Sequence, residues 1–332
     1  MKSMESLIFK NFWVLPTLSL MHAFSATPVF AAADAYPNKP VRLIIPYAPG
    51  GTNDIIGRLI NTKLAERIGK PVVVDNRGGA GSVIGTDMVA KAAPDGYTLL
   101  CAGPSVVVQP AVQKVPYDPV KSFAPVAGVA TSPYLLLVNP SVPANTVKEF
   151  IALAKQKPGN FIFGAPGVGT ALHLMAELIE IKAAIDFNIV QFKGTGPIMS
   201  DLLGGHSHVT LAALTQALPH IKSGKIRVLG TGGKERSVVL PDVPTISEAG
   251  LSGYTATGWW GIIAPAGTPL SVLDRLNREL KSILSSDDVK KMLLNDGIEA
   301  NYVGRSEFGR FLENEITTWK DVVKKANIKL EQ

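Results

Sequence analysis

"RLIIPYAPGGTND" (residues 42–54) runs from an apolar strand, through Pro46 and two glycines, straight into a helical pattern. Leu43, Ile44 and Ile45 read as the strand. From Asp54 onward Ile55, Ile56, Leu59, Ile60, Leu64 and Ile68 mark one helical face, until Gly69 and Pro71 stop it. Strand, glycine turn and helix N-terminus together make an anion site. The first amides of a helix have no backbone acceptor, and its dipole favours negative charge. The stretch therefore asks which anion is held, and whether the protein changes it.

The same unit recurs along the chain. "NRGGAGSVIG" (76–85) follows the strand "PVVVDN", and "AGPSVVVQ" (102–109) follows the strand "YTLLCAG". "FGAPGVGTALHL" (163–174) and "FKGTGPIMSDL" (192–202) have the same order of strand, glycines and helix. Glycine turns are common in α/β proteins, so one such loop says little. Five at the carboxyl ends of strands say more, because open α/β sheets bind ligands there. Strand-like and helix-like stretches alternate, which predicts an α/β fold with parallel-rich sheets flanked by helices. Two units of about 100 residues each fit the length. The chain is expected to cross between them near residues 134–138 and 257–262. Thr146 with Glu149 makes a capping box for the helix after "SPYLLLVNP", and Pro269 opens a helix from Leu270 to Leu284. A long C-terminal helix is expected to reach about Lys325.

With 332 residues, 46% hydrophobic and 18% charged, the chain supports a packed core. Aromatics are 7%, and the basic residues behind the +6 net charge are scattered, so a nucleic-acid face is not indicated; the mild positive balance suits an anionic solute. Lys2 and Lys10 frame an apolar stretch that leads into "SATPVFAAADAYP", where Ala31 and Ala33 have the spacing of a signal-peptidase site. Residues 1–33 are expected to be a cleaved signal peptide and the mature protein to be periplasmic and monomeric. Cys101 is the only cysteine and lies in an apolar strand, as a core residue would.

Motifs with a reaction attached are weak. "GAPGVGT" lacks the Lys-Ser/Thr of a phosphate loop, and its glycines are misordered for a dinucleotide fingerprint. Ser105 in "GPSVV" lacks the second glycine of a nucleophile elbow. His206 and His208 form H-x-H without the further ligands of a metal site. No carboxylate pair stands out for acid–base work. An enzyme is possible at this point but has no visible machinery, and neither a cofactor nor a metal is expected. His173 reads either as a packed helix residue or as part of a site rim.

Several blocks in order carry a resemblance. "YPNKPVRLIIPYAPGGTNDIIGRL", "VVVDNRGGAGSVIGTDMVAKAAPDGYTLL", "FGAPGVGTALHL", "LLGGH", "LPDVPTISEAG" and "WWGIIAPAGTP" together resemble the Bug, or TctC-like, family over most of the chain from Tyr36 to Lys325. These are periplasmic solute-binding proteins of tripartite tricarboxylate transporters. The resemblance implies a type II, two-lobed Venus-flytrap fold, with residues 34–135 plus 259–332 as one lobe and 136–258 as the other. It implies no enzyme but a small-molecule carboxylate in the cleft and membrane subunits of such a transporter as partners; the alternatives are a carboxylate sensor subunit and an exported enzyme with a nonstandard site.

Carried over residue by residue, the first loop would contribute Tyr47, Ala48, Gly51 and Thr52, with Asp54 at the helix start. Ser105 would follow the third strand. Ala165, Pro166, Gly167 and Thr170, with His173 nearby, would come from the second lobe, followed by Lys193, Gly194 and Thr195. Ala212 and Ala213 stand where many members carry an Asp, so a ligand ammonium would lack its partner. The lining expected between the lobes is small and weakly polar: Ala48, Ala165, Pro166, Ala212 and Ala213, with Trp259 or Trp260 near the hinge. That lining and the absence of an arginine cluster point to a dicarboxylate with an apolar middle, terephthalate among the candidates.

Overall fold

The computed structural model describes residues 36–326 and 328, apart from residue 193. The expected signal peptide and Lys193 lie outside the described residues.

The opening unit forms as its apolar spacing dictates. Strand β1 (Val41–Ile45) is buried at every position but Arg42. Helix α1 (Thr52–Ile68) buries Ile56, Ile60, Leu64 and Ile68, one face at the helical repeat. It ends at Gly69, whose left-handed backbone (φ 67°) returns its amide to the Ala65 carbonyl. β2 (Val72–Asn76) lies parallel to β1, with Val41 opposite Val72. A single 3-10 turn (Ala80–Ser82) leads into α2 (Val83–Ala90). β3 (Thr98–Ala102) pairs parallel on the other side of β1 and is followed by α3 (Ser105–Val112).

The long strand β4 (Phe123–Val138) connects this sheet to a second one. Then come α4 (Val147–Gln156), β5 (Phe161–Ala165), α5 (Ala171–Ala183), β6 (Phe187–Gln191), α6 (Thr195–Leu203), β7 (Val209–Ala213), α7 (Leu214–Lys222) and β8 (Arg227–Thr231). The chain returns through β9 (Thr257–Pro265) and closes with α8 (Leu270–Ser285), α9 (Asp287–Asn295), β10 (Glu299–Val303) and α10 (Arg305–Lys325). The strand order is β2-β1-β3-β9-β4-β7-β5-β6, with β8 and β10 also paired to β4. The fold is α/β, a mixed sheet flanked by helices.

The expected parallel-rich pairing holds for β2-β1-β3 and for β6-β5-β7 but not at the centre. There β9, β7, β8 and β10 all run antiparallel to β4. Composition reports burial on both faces and not strand direction. Trp259, Trp260, Ile262 and Ile263 are buried just as a parallel strand would be, so the sequence pattern could not tell the two apart. β4 also begins well before "SPYLLLVNP". Its first part pairs with β9, from Phe123 opposite Pro265 to Pro133 opposite Thr257. Its last part pairs with β7, from Tyr134 opposite Ala213 to Val138 opposite Val209.

The passage from one sheet to the other is tied by backbone. The Tyr134 amide donates to the Ala256 carbonyl (2.9 Å), Ala256 to Gly232 (2.8 Å) and Gly232 to Tyr134 (2.7 Å). Gly232 is fixed by this closure, since a Cβ there would run into the Ala256 carbonyl. Among the described residues no helix is long and apolar enough to cross a membrane.

Candidate functional site

The loop between β1 and α1 is held from behind. Asp54, buried, accepts the Gly50 amide (2.9 Å), Arg58 Nε (2.9 Å) and Asn76 Nδ2 (3.0 Å). Asn76 Nδ2 also donates to the Tyr47 carbonyl (3.1 Å), so one carboxylate ties loop, helix and β2 together. The Arg58 hydrogen bond, with the Gly50 amide and Asn76, holds the Asp54 carboxyl down at about 2. Asp54 is therefore a brace for the loop. Asn53 is likewise committed inward: Nδ2 donates to the Cys101 carbonyl (3.1 Å) and Oδ1 accepts Trp260 Nε1 (2.6 Å).

What the loop presents outward is backbone. Gly51 caps α1 with no side-chain hydrogen bond, and α1's own bonds begin at the amides of Asp54 and Ile55, both to the Gly51 carbonyl. The Thr52 and Asn53 amides have no backbone acceptor among the described residues. A Cβ built on Gly50 or Gly51 meets nothing within 4 Å, so the turn faces open space. The nearby arginines are engaged. Arg58 is on Asp54, and Arg42 and Arg77 are both on Asp75. An anion at this loop meets amides and hydroxyls rather than a guanidinium.

Tyr47 gathers the hydroxyls. Its phenol stands beside Ser105, the first residue of α3, and beside Ser82, which precedes α2, and burial keeps it neutral by raising its pKa. Ser82 was not singled out in the sequence, although it lies in the second glycine loop. Its backbone is left-handed (φ 86°), as are those of Gly79, Ala80 and Gly81 before it. Such strain at non-glycine residues persists where the surroundings dictate it. Gly78 packs against the first loop, where a Cβ would come 3.2 Å from the Ala48 amide. Tyr134, where β4 passes between the sheets, is pushed up to about 12 by burial and, less, by Tyr47.

The second group of residues sits on the other sheet, after β5 and β6. Thr170 caps α5. Its hydroxyl accepts the His173 amide (3.3 Å) and donates to the Gly167 carbonyl (2.9 Å). The Gly167 amide is taken by Gln191 Oε1 (3.1 Å), and the Gly169 amide by His173 Nδ1 (3.2 Å). His173 is 5% exposed and belongs to the packed start of the helix. At α6, Gly194 is left-handed (φ 102°), and Thr195 Oγ1 accepts Gln216 Nε2 (2.7 Å).

Part of the expected lining lies in the core. Ala165 is fully buried, and Ala212 packs with Leu135, Leu137, Met199 and Leu202. Pro166 and Ala213 are half-buried. Trp259 and Trp260 do not line a site: Trp259 Nε1 donates to Glu315 (3.0 Å), Trp260 donates to Asn53, and both rings are buried. β9 lies between β3 and β4 in the sheet, and its residues from Gly258 to Pro265 are buried on both faces. His206 is exposed while His208 Nδ1 accepts the Ile162 amide (3.0 Å), so the pair points to different tasks. Cys101 is buried, and its thiol is pushed up to about 12.

The model of the family described as "Tripartite tricarboxylate transporter family receptor" matches residues 56–328. The chain belongs to that receptor family. It is 35% identical over 319 residues to the protein BugT of Bordetella pertussis, covering 94% of this chain and 98% of that one. Two solved structures with bound acids are also similar. An R. palustris protein with adipate is 34% identical (TM-score 0.77; 89% of this chain, 99% of that chain). MatC from Rhodopseudomonas palustris with bound malate is 31% identical (TM-score 0.73; 87% and 100%). The receptor family consists of solute-binding proteins, and the fold built above is the one its solved members share.

Proposed function

We propose that this receptor captures an organic dicarboxylate with an apolar middle between the two groups of loops and delivers it to the membrane subunits of a tripartite tricarboxylate-type transporter. The observation that carries the reading is the β1–α1 loop, where unpaired amides of α1 face open space beside neutral hydroxyls and no unpaired arginine stands next to them. A carboxylate suits such a seat, since the helix dipole and directed N–H groups supply the stabilisation. Two similar receptors hold adipate and malate, both dicarboxylates. The second carboxylate is assigned to the α5 and α6 N-termini. Ala213, half-buried next to the core residue Ala212, supplies no acid for a ligand ammonium, which speaks against an amino-acid ligand, and terephthalate stays among the candidates with aliphatic diacids. Residues 34–135 with 259–332 and residues 136–258 are proposed as the two lobes, joined where β4 and β9 pass. No reaction is assigned to the site.

A thermal-shift panel of terephthalate, adipate, malate, citrate, benzoate and glutamate tests the reading. A ligand at 100 times its dissociation constant adds about 2.7 kcal/mol to stability. A simple diacid should give the largest shift; a larger one from glutamate, or none from any acid, would sink the proposal. The same reading places the protein in the periplasm after removal of residues 1–33. Intact mass of the periplasmic protein should then begin near Asp34, and a retained Met1 would contradict it.

A further inference from the structure

We infer that His173 is a positioning residue for the solute loop of residues 167–170, holding it by the imidazole tautomer that Glu177 and Glu180 select. The inference rests on the proposal that this loop seats one end of the solute. His173 Nδ1 lies 3.2 Å from the Gly169 amide nitrogen, and Nε2 lies 3.4 Å from Glu177 Oε1. The Gly169 nitrogen can only donate, so Nδ1 must be the bare acceptor and the imidazole proton must sit on Nε2, facing Glu177. A proton on Nδ1 would set two donors against each other.

The acid side is compatible with that arrangement. Glu177 and Glu180 lie one turn apart on α5, and two neighbouring carboxyls in a half-buried setting are relieved by holding one proton between them. The Phe187 amide donates to Glu180 Oε1. With that proton on the other oxygen of Glu180, Glu177 is left as the acceptor that His173 Nε2 faces at 3.4 Å. Burial raises Glu177 and lifts Glu180 to about 7, and nearby Asp186 raises both. Burial also lowers His173, keeping it neutral. Glu180, Glu177 and His173 follow one another along α5, from the Phe187 amide at one end to the Gly169 amide, one residue from the Thr170 cap, at the other.

Two substitutions divide the imidazole's duties. Asparagine places an acceptor near Nδ1, and glutamine places a donor near Nε2. With adipate as probe, His173→Asn should bind within about threefold of the parent, while His173→Gln should lose about tenfold, equivalent to ~1.4 kcal/mol. In the ligand-free protein, imidazole 15N spectra should show His173 as the Nε2–H tautomer, and Gly169 amide exchange should be slow in the parent and in His173→Asn but fast in His173→Gln. These two readouts need no solute, so they judge the positioning role even if adipate fails to bind the parent, which would count against the dicarboxylate reading alone. An Nδ1–H tautomer, or equal Gly169 protection in both variants, overturns the inference.

Discussion

Gly51 shows how a single residue can matter through what it lacks. Its backbone (φ −85°, ψ 173°) is open to any residue, and a Cβ there meets nothing, so a side chain would be tolerated by the fold. It would also fill the space in front of the α1 amides. Gly51→Leu should keep the thermal midpoint of the parent and lose about 100-fold or more in diacid affinity, ~2.7 kcal/mol, read by calorimetry. Unchanged affinity would remove the loop from the site. The glycine loops could be read from sequence because their spacing is local. The duties of the polar residues within them could not. Asp54 is braced by Asn76, 22 positions away, and the Thr170 hydroxyl is used up inside its own turn. A one-dimensional pattern shows that a polar group stands at a helix start without showing which way it faces.

At the scale of elements, the brace makes a pH prediction. Asp54 has its pKa depressed in the fold to about 2, first by Arg58. Its contribution is therefore complete above the unfolded value near 4 and is lost as the pH falls from there toward 2, on the order of 2 kcal/mol. Asp54→Asn should be less stable than the parent at neutral pH, and the gap should close between about pH 4 and pH 2. Equal pH profiles for the two proteins would show that the carboxylate does not tie α1 to β2. Most elements were legible because most strands are short apolar runs and most helices have a periodic face; α10 ends at Lys325, as expected. Strand direction at the centre was not. β4 and β9 are covered on both faces, and such strands look alike whichever way they run. The same burial took Trp259 and Trp260 out of the expected lining.

At the scale of the molecule, two loop groups on different sheets are joined by β4 and β9 and by the backbone closure through Tyr134, Gly232 and Ala256. A solute with an acid at each end is what such a pair of seats would hold, and a closing motion of the lobes about these strands would bring the seats together. Calorimetry of adipate against its monomethyl ester and against hexanoate tests this most directly, because the three share a six-carbon chain and differ in one terminal group. Loss of a charged hydrogen-bonded end costs about 1.5–3 kcal/mol, so both monoacids should bind about 10- to 100-fold more weakly than the diacid. Monoacids that bind as tightly as adipate would mean that only one end is held and would contradict the two-seat account.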